Sequence, residues 1–259
     1  MSKLSLNIVL IGAGNVAWHL AQELQNKGQN ILQIYNRSAE PAIDLSSKLG
    51  CDFTTRMEDI TTDADLYILA VKDSAIYQVA KSLKLKGKLV VHTSGAIEQD
   101  VIPSKRRGVF YPLQTISKQR KLNFKNSPFC IEASKSEDYN LLMRLATLLS
   151  PMVYNINSHQ RKVLHIAAVF ACNFSNFMYM IADDILEKEE IPLDILQPLI
   201  KETAAKIKRH KPKGVQTGPA IRKDNETIEK HFEYLKEGNY YDIYKLLTES
   251  IISENENEL

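Results

Sequence analysis

The chain has 259 residues, 44% of them hydrophobic, with 33 Lys and Arg against 31 Asp and Glu and a formal charge of +2. That length exceeds one ordinary domain and points to two, while the near-neutral balance excludes the basic footprint that nucleic acid or an anionic membrane surface demands. Cys51, Cys130 and Cys172 are scattered and lack C-x-x-C spacing, which excludes a disulfide framework and a zinc site, so a metal-free protein of the reducing cytoplasm is expected.

Met1 to Leu6 run straight into the first apolar stretch with no basic-then-apolar leader, so export is not expected. Ile8 to Ile11 read as a buried parallel strand. The strand feeds Gly12-Ala13-Gly14-Asn15-Val16-Ala17, a G-x-G-x-x-A turn that opens a helix over Ala17 to Gln25. Gly12 permits the tight turn, Gly14 lets backbone N–H groups of Asn15 and Val16 approach a phosphate, and Ala17 lets the helix pack closely on the strand. The helix N-terminus then faces a nucleotide pyrophosphate.

Gly28 ends that helix, and Ile31 to Tyr35 form the second strand. An NAD site commonly places an acidic residue after this strand to hold the ribose hydroxyls. Here the chain reads Asn36-Arg37-Ser38. The guanidinium of Arg37 can clamp a 2′-phosphate that Asn36 and Ser38 also hydrogen-bond, so NADP is the expected cofactor.

A helix over Ala39 to Lys48, a short strand over Cys51 to Thr54 and a buried strand over Asp65 to Val71 follow. A helix over Ser74 to Leu83 and strands over Lys88 to His92 and Gly108 to Tyr111 complete an α/β, doubly wound parallel sheet. A strand over Phe129 to Ala133, a helix over Ser136 to Leu149 and a strand over Met152 to Ile156 extend its far edge. Ligands of such sheets lie beyond the carboxyl ends of the strands. Ala70, Val71 and Lys72 are therefore expected to flank the cofactor, with Thr93 and Gly95 close to its nicotinamide ring. His92 and Tyr111 are possible proton donors, and Ser94 and Gln114 can orient a substrate oxygen or nitrogen.

From Ser158 the strand signals vanish, which sets an expected boundary at Asn157: a nucleotide domain over 1–157 and an all-helical domain over 158–259. The first helix, Ser158 to Lys188, carries a 20-residue span, Val163 to Ala182, long enough to cross a bilayer. His165, Asn173, Ser175 and Asn176 interrupt it, so burial against other helices or the same helix of a second subunit is expected, with no membrane and a homodimer. At about 100° per residue, His165, Cys172, Asn173 and Asn176 share one stripe, able to face a cleft or an interface. Further helices are expected over Leu193 to His210, Asn225 to Glu237 and Tyr240 to Ser253, with a frayed end over Ser253 to Leu259. In the turn-rich loop Gly214 to Asp224, Arg222 can hold a carboxylate; equally, Asp224 can cap the next helix with Arg222 as its ion-pair partner.

Gly12 to Ala17, Asn36-Arg37-Ser38 and Leu69-Ala70-Val71-Lys72-Asp73 resemble the cofactor-binding segments of pyrroline-5-carboxylate reductases and their 6-phosphogluconate-dehydrogenase-like relatives. His92-Thr93-Ser94-Gly95, Tyr111-Pro112-Leu113-Gln114-Thr115 and Thr217-Gly218-Pro219 with Arg222 and Asp224 are similar to a less characterised family of NADP oxidoreductases. That resemblance implies a Rossmann-like domain followed by a helical, 6-phosphogluconate-dehydrogenase-like C-terminal domain, and a dimer built on the long helix. Tyr111 and Lys223 stand where that family has histidine and glycine. The Lys-x-x-x-Asn pair of the hydroxyacid dehydrogenase branch is absent: Val169 precedes Asn173, and Cys172 precedes Asn176. The expectation is an NADP-dependent oxidoreductase moving hydride between nicotinamide and a small carbonyl or imine substrate. Arg222 would anchor a carboxylate, His92 or His165 would handle the proton, and Ser94, Gln114 and Asn173 would orient the reacting group. A non-catalytic NADP(H) sensor and a deazaflavin-dependent enzyme are the alternatives.

Overall fold

The computed structural model describes residues 4–256. They divide between Cys172 and Asn173 into two compact units. The division falls within the long helix, later than Asn157, because the first turns of that helix are tied to the sheet of the first unit by Arg161.

In the first unit, β1 (Asn7–Ile11), β2 (Asn30–Tyr35), β3 (Asp52–Thr54), β4 (Leu66–Leu69), β5 (Leu89–His92), β6 (Arg107–Pro112), β7 (Phe129–Ala133) and β8 (Val153–Asn155) form one sheet in the order β3-β2-β1-β4-β5-β6-β7-β8. The strand order reverses at β1, which is flanked by β2 and β4. The ends of β1 and β4 therefore bound the crevice where ligands of open α/β sheets sit. All neighbours are parallel except β6 and β7. The segment joining those two has no crossover helix, and only an antiparallel return can do without one. The helix α4 (Ser136–Leu149) supplies the crossover that restores a parallel pair at β8.

Alternation along β1 splits the core between the two faces of the sheet. Ile8 and Leu10 pack with Leu20 and Leu24 of α1 (Asn15–Asn26), Leu45 of α2 (Ala39–Leu49) and Leu142 and Leu145 of α4. Val9 and Ile11 pack on the other face with Tyr67, Leu69, Val90 and Ile76 of α3 (Ile76–Ser82). Each such fully buried side chain contributes roughly 1.5–3 kcal/mol, so β1 is fixed from both sides and the turn that follows it is rigid.

The expected helix from Ser158 is present over Ser158–Glu187 but is not α-helical throughout. It consists of α5 (Ser158–Ala168), a π-helical stretch at Val169–Phe174 and α6 (Ser175–Glu187). A capping box starts it: Asn157 accepts from the Gln160 backbone N–H while the Gln160 side chain accepts from that of Asn157. The π stretch breaks the 100° phase that would place His165 and Asn173 on one stripe. The second unit continues through α7 (Gln197–Lys206), α8 (Pro219–Arg222), α9 (Asn225–Leu235) and α10 (Tyr241–Glu256), the last packing on α8 and α9. Helix persists through Ser253 to Glu256, where fraying was expected; residues 257–259 lie outside the described part.

Candidate functional site

Gly12 has φ +112°, a conformation L side chains rarely adopt, and a Cβ there would lie 2.3 Å from the Ala70 carbonyl oxygen at the end of β4. Its N–H donates to the Tyr35 carbonyl at 2.6 Å. The turn is thus clamped between the ends of β2 and β4. Gly14 is the opposite case: exposed, with nothing within 4 Å of where a Cβ would be. That open space lies over the start of α1, whose N-cap offers no side-chain acceptor and whose first turn carries no acid. The free N–H groups of Asn15, Val16 and Ala17 are left to an anion, and the cradle fits a diphosphate.

At the end of β2, the Asn36 side chain accepts from the Ala13 N–H at 3.3 Å and donates to the Ser38 carbonyl at 2.9 Å. Its amide holds the glycine turn in place, a different task from the expected grip on a 2′-phosphate. Arg37 and Ser38 are exposed, and Ser38 begins α2 without using its hydroxyl as a cap. Among the described residues, no carboxylate pairs with Arg37 in a salt bridge. Val71 and Lys72 follow β4 beside the turn, Val71 half-buried and Lys72 exposed.

The β5 end departs from expectation. His92 is 0% exposed; its Nδ1 accepts from the Ser94 N–H at 3.1 Å, and Nε2 faces the Glu98 carbonyl at 3.3 Å. This pattern assigns the Nε2–H tautomer. Burial first, then the Arg161 charge, pushes its pKa down to about 4. With both nitrogens committed to backbone, His92 fastens a turn and has none to offer a substrate. The Ser94 hydroxyl accepts from the Ala96 and Ile97 N–H groups, both at 3.1 Å, and Thr93 bonds the Leu69 carbonyl through its N–H at 3.1 Å.

Gly95 is buried, and its missing side chain makes room for protein: a Cβ would meet His165 Nδ1 at 2.7 Å and the Tyr111 Cζ and hydroxyl at 2.8 and 2.9 Å. The close approach expected of a nicotinamide is made by those two side chains. Tyr111, at the β6 end, and His165, on α5, lie 3.4 Å apart from hydroxyl to Nδ1 with their rings edge to face. Burial raises the Tyr111 phenol to about 12, so it stays protonated at neutral pH.

His165 reaches that place because Arg161, one turn earlier and fully buried, bonds Glu132 Oε2 and the Ile97 carbonyl at 2.5 Å and Ser158 Oγ at 3.2 Å. Neither Arg161 nor Glu132 was foreseen from the sequence. Nothing local marks them, since the pairing joins β7 to α5.

Gln114 is exposed; it accepts from the Thr115 N–H at 2.9 Å and donates to Ser127 Oγ at 3.3 Å, so its amide shapes the segment after β6. That segment lines a cleft of ~470 Å³ with Arg120, Lys121 and Asn126. It is tied to α1 by Asn15 Nδ2 on the Ile116 carbonyl at 3.1 Å and His19 Nε2 on the Ser117 carbonyl at 2.8 Å. In the second unit, Asn173 is exposed in the π stretch. Arg222 ends α8, 62% exposed and 3.9 Å from Asp224, whose carboxylate caps α9 by accepting from the Thr227 N–H and hydroxyl at 3.2 and 2.9 Å.

Residues 7–95 match the family model described as NADP oxidoreductase, coenzyme F420-dependent, and residues 127–251 match a domain of unknown function, DUF2520. A crystal structure from Bacteroides fragilis, assigned as an NADP oxidoreductase, is 44% identical and has a TM-score of 0.90, covering 96% of this chain and 98% of that one. The chain belongs to this two-domain NAD(P)-dependent oxidoreductase family. This oxidoreductase also shares its fold with a pyrroline-5-carboxylate reductase from Streptococcus pyogenes, 16% identical, TM-score 0.63, over 98% of this chain and 99% of that one. An imine reductase from Myxococcus stipitatus, solved with NADP+, has TM-score 0.66 at 15% identity over 97% and 93% of the two chains. A curated relative, the glutamyl-tRNA reductase of Sulfolobus acidocaldarius, is 32% identical over 89 residues, which are 34% of this chain. The oxidoreductase spans about a fifth, 21%, of that relative's length.

Proposed function

We propose that this protein is an NADP-dependent oxidoreductase acting on a small, carboxylated carbonyl or imine substrate. When bound, the cofactor supplies a two-electron hydride donor or acceptor. Gly12, Gly14 and the opening N–H groups of α1 receive its diphosphate, and Asn36 holds that turn rigid. The observation that carries the choice of NADP is the β2 end, where Arg37 stands exposed beside the unused Ser38 hydroxyl and no acid occupies the ribose position. A guanidinium there attracts a 2′-phosphate that an acid would repel. Arg222, held loosely by Asp224, is the side chain offered to a substrate carboxylate. The setting we infer is the cytoplasm, with a small molecule as substrate and a second copy of the chain as partner.

Calorimetry on the intact protein with NADP+, NAD+ and a deazaflavin coenzyme tests this. NADP+ is expected to bind most tightly, and Arg37→Asp to weaken it by about tenfold to a hundredfold, the worth of one charge-assisted hydrogen bond, with NAD+ little changed. Equal binding of NAD+ and NADP+, untouched by the substitution, overturns the NADP assignment. Preferential binding of the deazaflavin overturns the choice of coenzyme, and binding without NADPH consumption across a panel of keto acids and imines leaves a sensor.

A further inference from the structure

Hydride transfer to C=O or C=N leaves a heteroatom that needs a proton. His92 is excluded as its source by burial and by two backbone bonds. What the end of the sheet offers instead is the pair that closes over Gly95. The phenol of Tyr111 and Nδ1 of His165 converge from two elements, β6 and α5, on the space a Cβ of residue 95 would fill, and face each other at 3.4 Å. Both side chains are only partly buried, in contrast to His92. Gly95 is the residue that permits the pair, since any side chain there would separate the two rings.

We propose that Tyr111 and His165 form the acid of this reaction, the Tyr111 O–H giving its proton to the substrate heteroatom and His165 Nδ1–H restoring it. The inference rests on the hydride-transfer reading above. Were a bound nicotinamide to supply hydride to the substrate carbon, the π pair of C=O or C=N would move onto the heteroatom. An O–H or N–H bond forms there while the Tyr111 O–H bond breaks. The phenol oxygen takes the Nδ1 proton of His165 as Nε2 takes one from solvent, which leaves a neutral imidazole in its other tautomer. A phenol that stays protonated across the neutral range holds the proton until that moment. Arg161 is a positioning residue: its bonds to Glu132, Ile97 and Ser158 fix the turn of α5 from which His165 projects.

The test is ¹⁵N NMR of the histidine rings in the intact protein, with His165→Gln assigning the signal. In the wild type, His165 is expected to carry its proton on Nδ1. Tyr111→Phe, which keeps the ring and loses only the oxygen, is expected to move the proton to Nε2, and Gly95→Ala to do the same by parting the rings. Ring signals of His165 that neither substitution alters overturn the pairing. NADPH consumption with a panel of cyclic imines and 2-keto acids supplies the second readout. Tyr111→Phe is expected to lower kcat about a hundredfold or more with KM within about threefold, the scale of a lost general acid. A kcat within about threefold of wild type overturns the acid role. No consumption by the wild type sinks the hydride-transfer reading and the acid role with it, while the NMR result on the pair stands separately.

Discussion

His92 is a possible proton donor from the sequence, but the ring's two backbone bonds make it a fastening at a strand end. That role has a consequence for stability. The folded chain holds His92 neutral down to about pH 4, whereas the unfolded chain takes up a proton near 6.5. The stabilisation is therefore complete above about pH 6.5 and is lost as the pH falls toward 4, because protons then bind preferentially to the unfolded state. The amount is on the order of 3 kcal/mol. In urea titrations between pH 7 and pH 4.5, the wild type should lose stability more steeply than His92→Gln, which has nothing to titrate there; parallel curves would refute this. At the same residue scale, Gly95 and Asn36 were legible as important, but the protein contacts they make were not. A glycine after a strand announces a close approach, but what approaches is chosen by β6 and α5, which lie far along the chain. Likewise Asn36 stands where a cofactor contact belongs, and only folding shows its amide turned back to Ala13.

At the scale of elements, β1, the turn and α1 were readable almost residue by residue, because an apolar run, two glycines and a helix start are all local signals. The alternation of strands and helices through β6 was readable for the same reason. The antiparallel β7 and the π stretch were not: strand direction depends on the path of the connecting segment, and a single i→i+5 turn leaves composition and apolar content unchanged. The anchor of α5 was also invisible, since Arg161 looks like one more surface cation in Ser158 to Lys162. Yet it is fully buried, with Nε lacking a partner among the described residues, and its ion pair with Glu132 ties the first turns of α5 to β7. Removing Arg161 leaves the largely buried Glu132 carboxylate without a counter-charge, though Gln99 and both the N–H and hydroxyl of Ser158 still hydrogen-bond it, so the cost lies at the low end for a broken buried pair, about 3 kcal/mol. Arg161→Met should thus lower the urea stability by that much, while Arg161→Met with Glu132→Gln should recover part of the loss. A double variant as unstable as the sum of the two singles would show that the pair does not interact as described.

At the scale of the whole molecule, the two units differ in how they bury apolar surface. The first has a core on both faces of its sheet, whereas the second, among its described residues, buries only Ile181, Ala220, Ile228 and Thr248, and none of them completely. Val163 and Ile166 on α5, Met180 on α6, Ile195 and Leu199 beyond it and Leu246 on α10 are 45 to 64% exposed. The helix that runs from Ser158 to Glu187 is 30 residues long and apolar enough to span a bilayer by length and composition. A bilayer is a poor solvent for it, since His165, Asn173, Asn176, Asp183 and Asp184 would each enter hydrocarbon. A second copy of the same helix meets these demands better: paired faces can bury the apolar side chains while their polar neighbours find partners or water. We therefore expect a homodimer burying more than about 1,000 Å² on the long helix. Sedimentation equilibrium at micromolar concentration should return twice the chain mass, and Met180→Glu, which places a charge in that face, should weaken the dimer by about a hundredfold or more. A wild-type monomer, or flotation of the purified protein with liposomes, would show that something other than a second copy covers this surface.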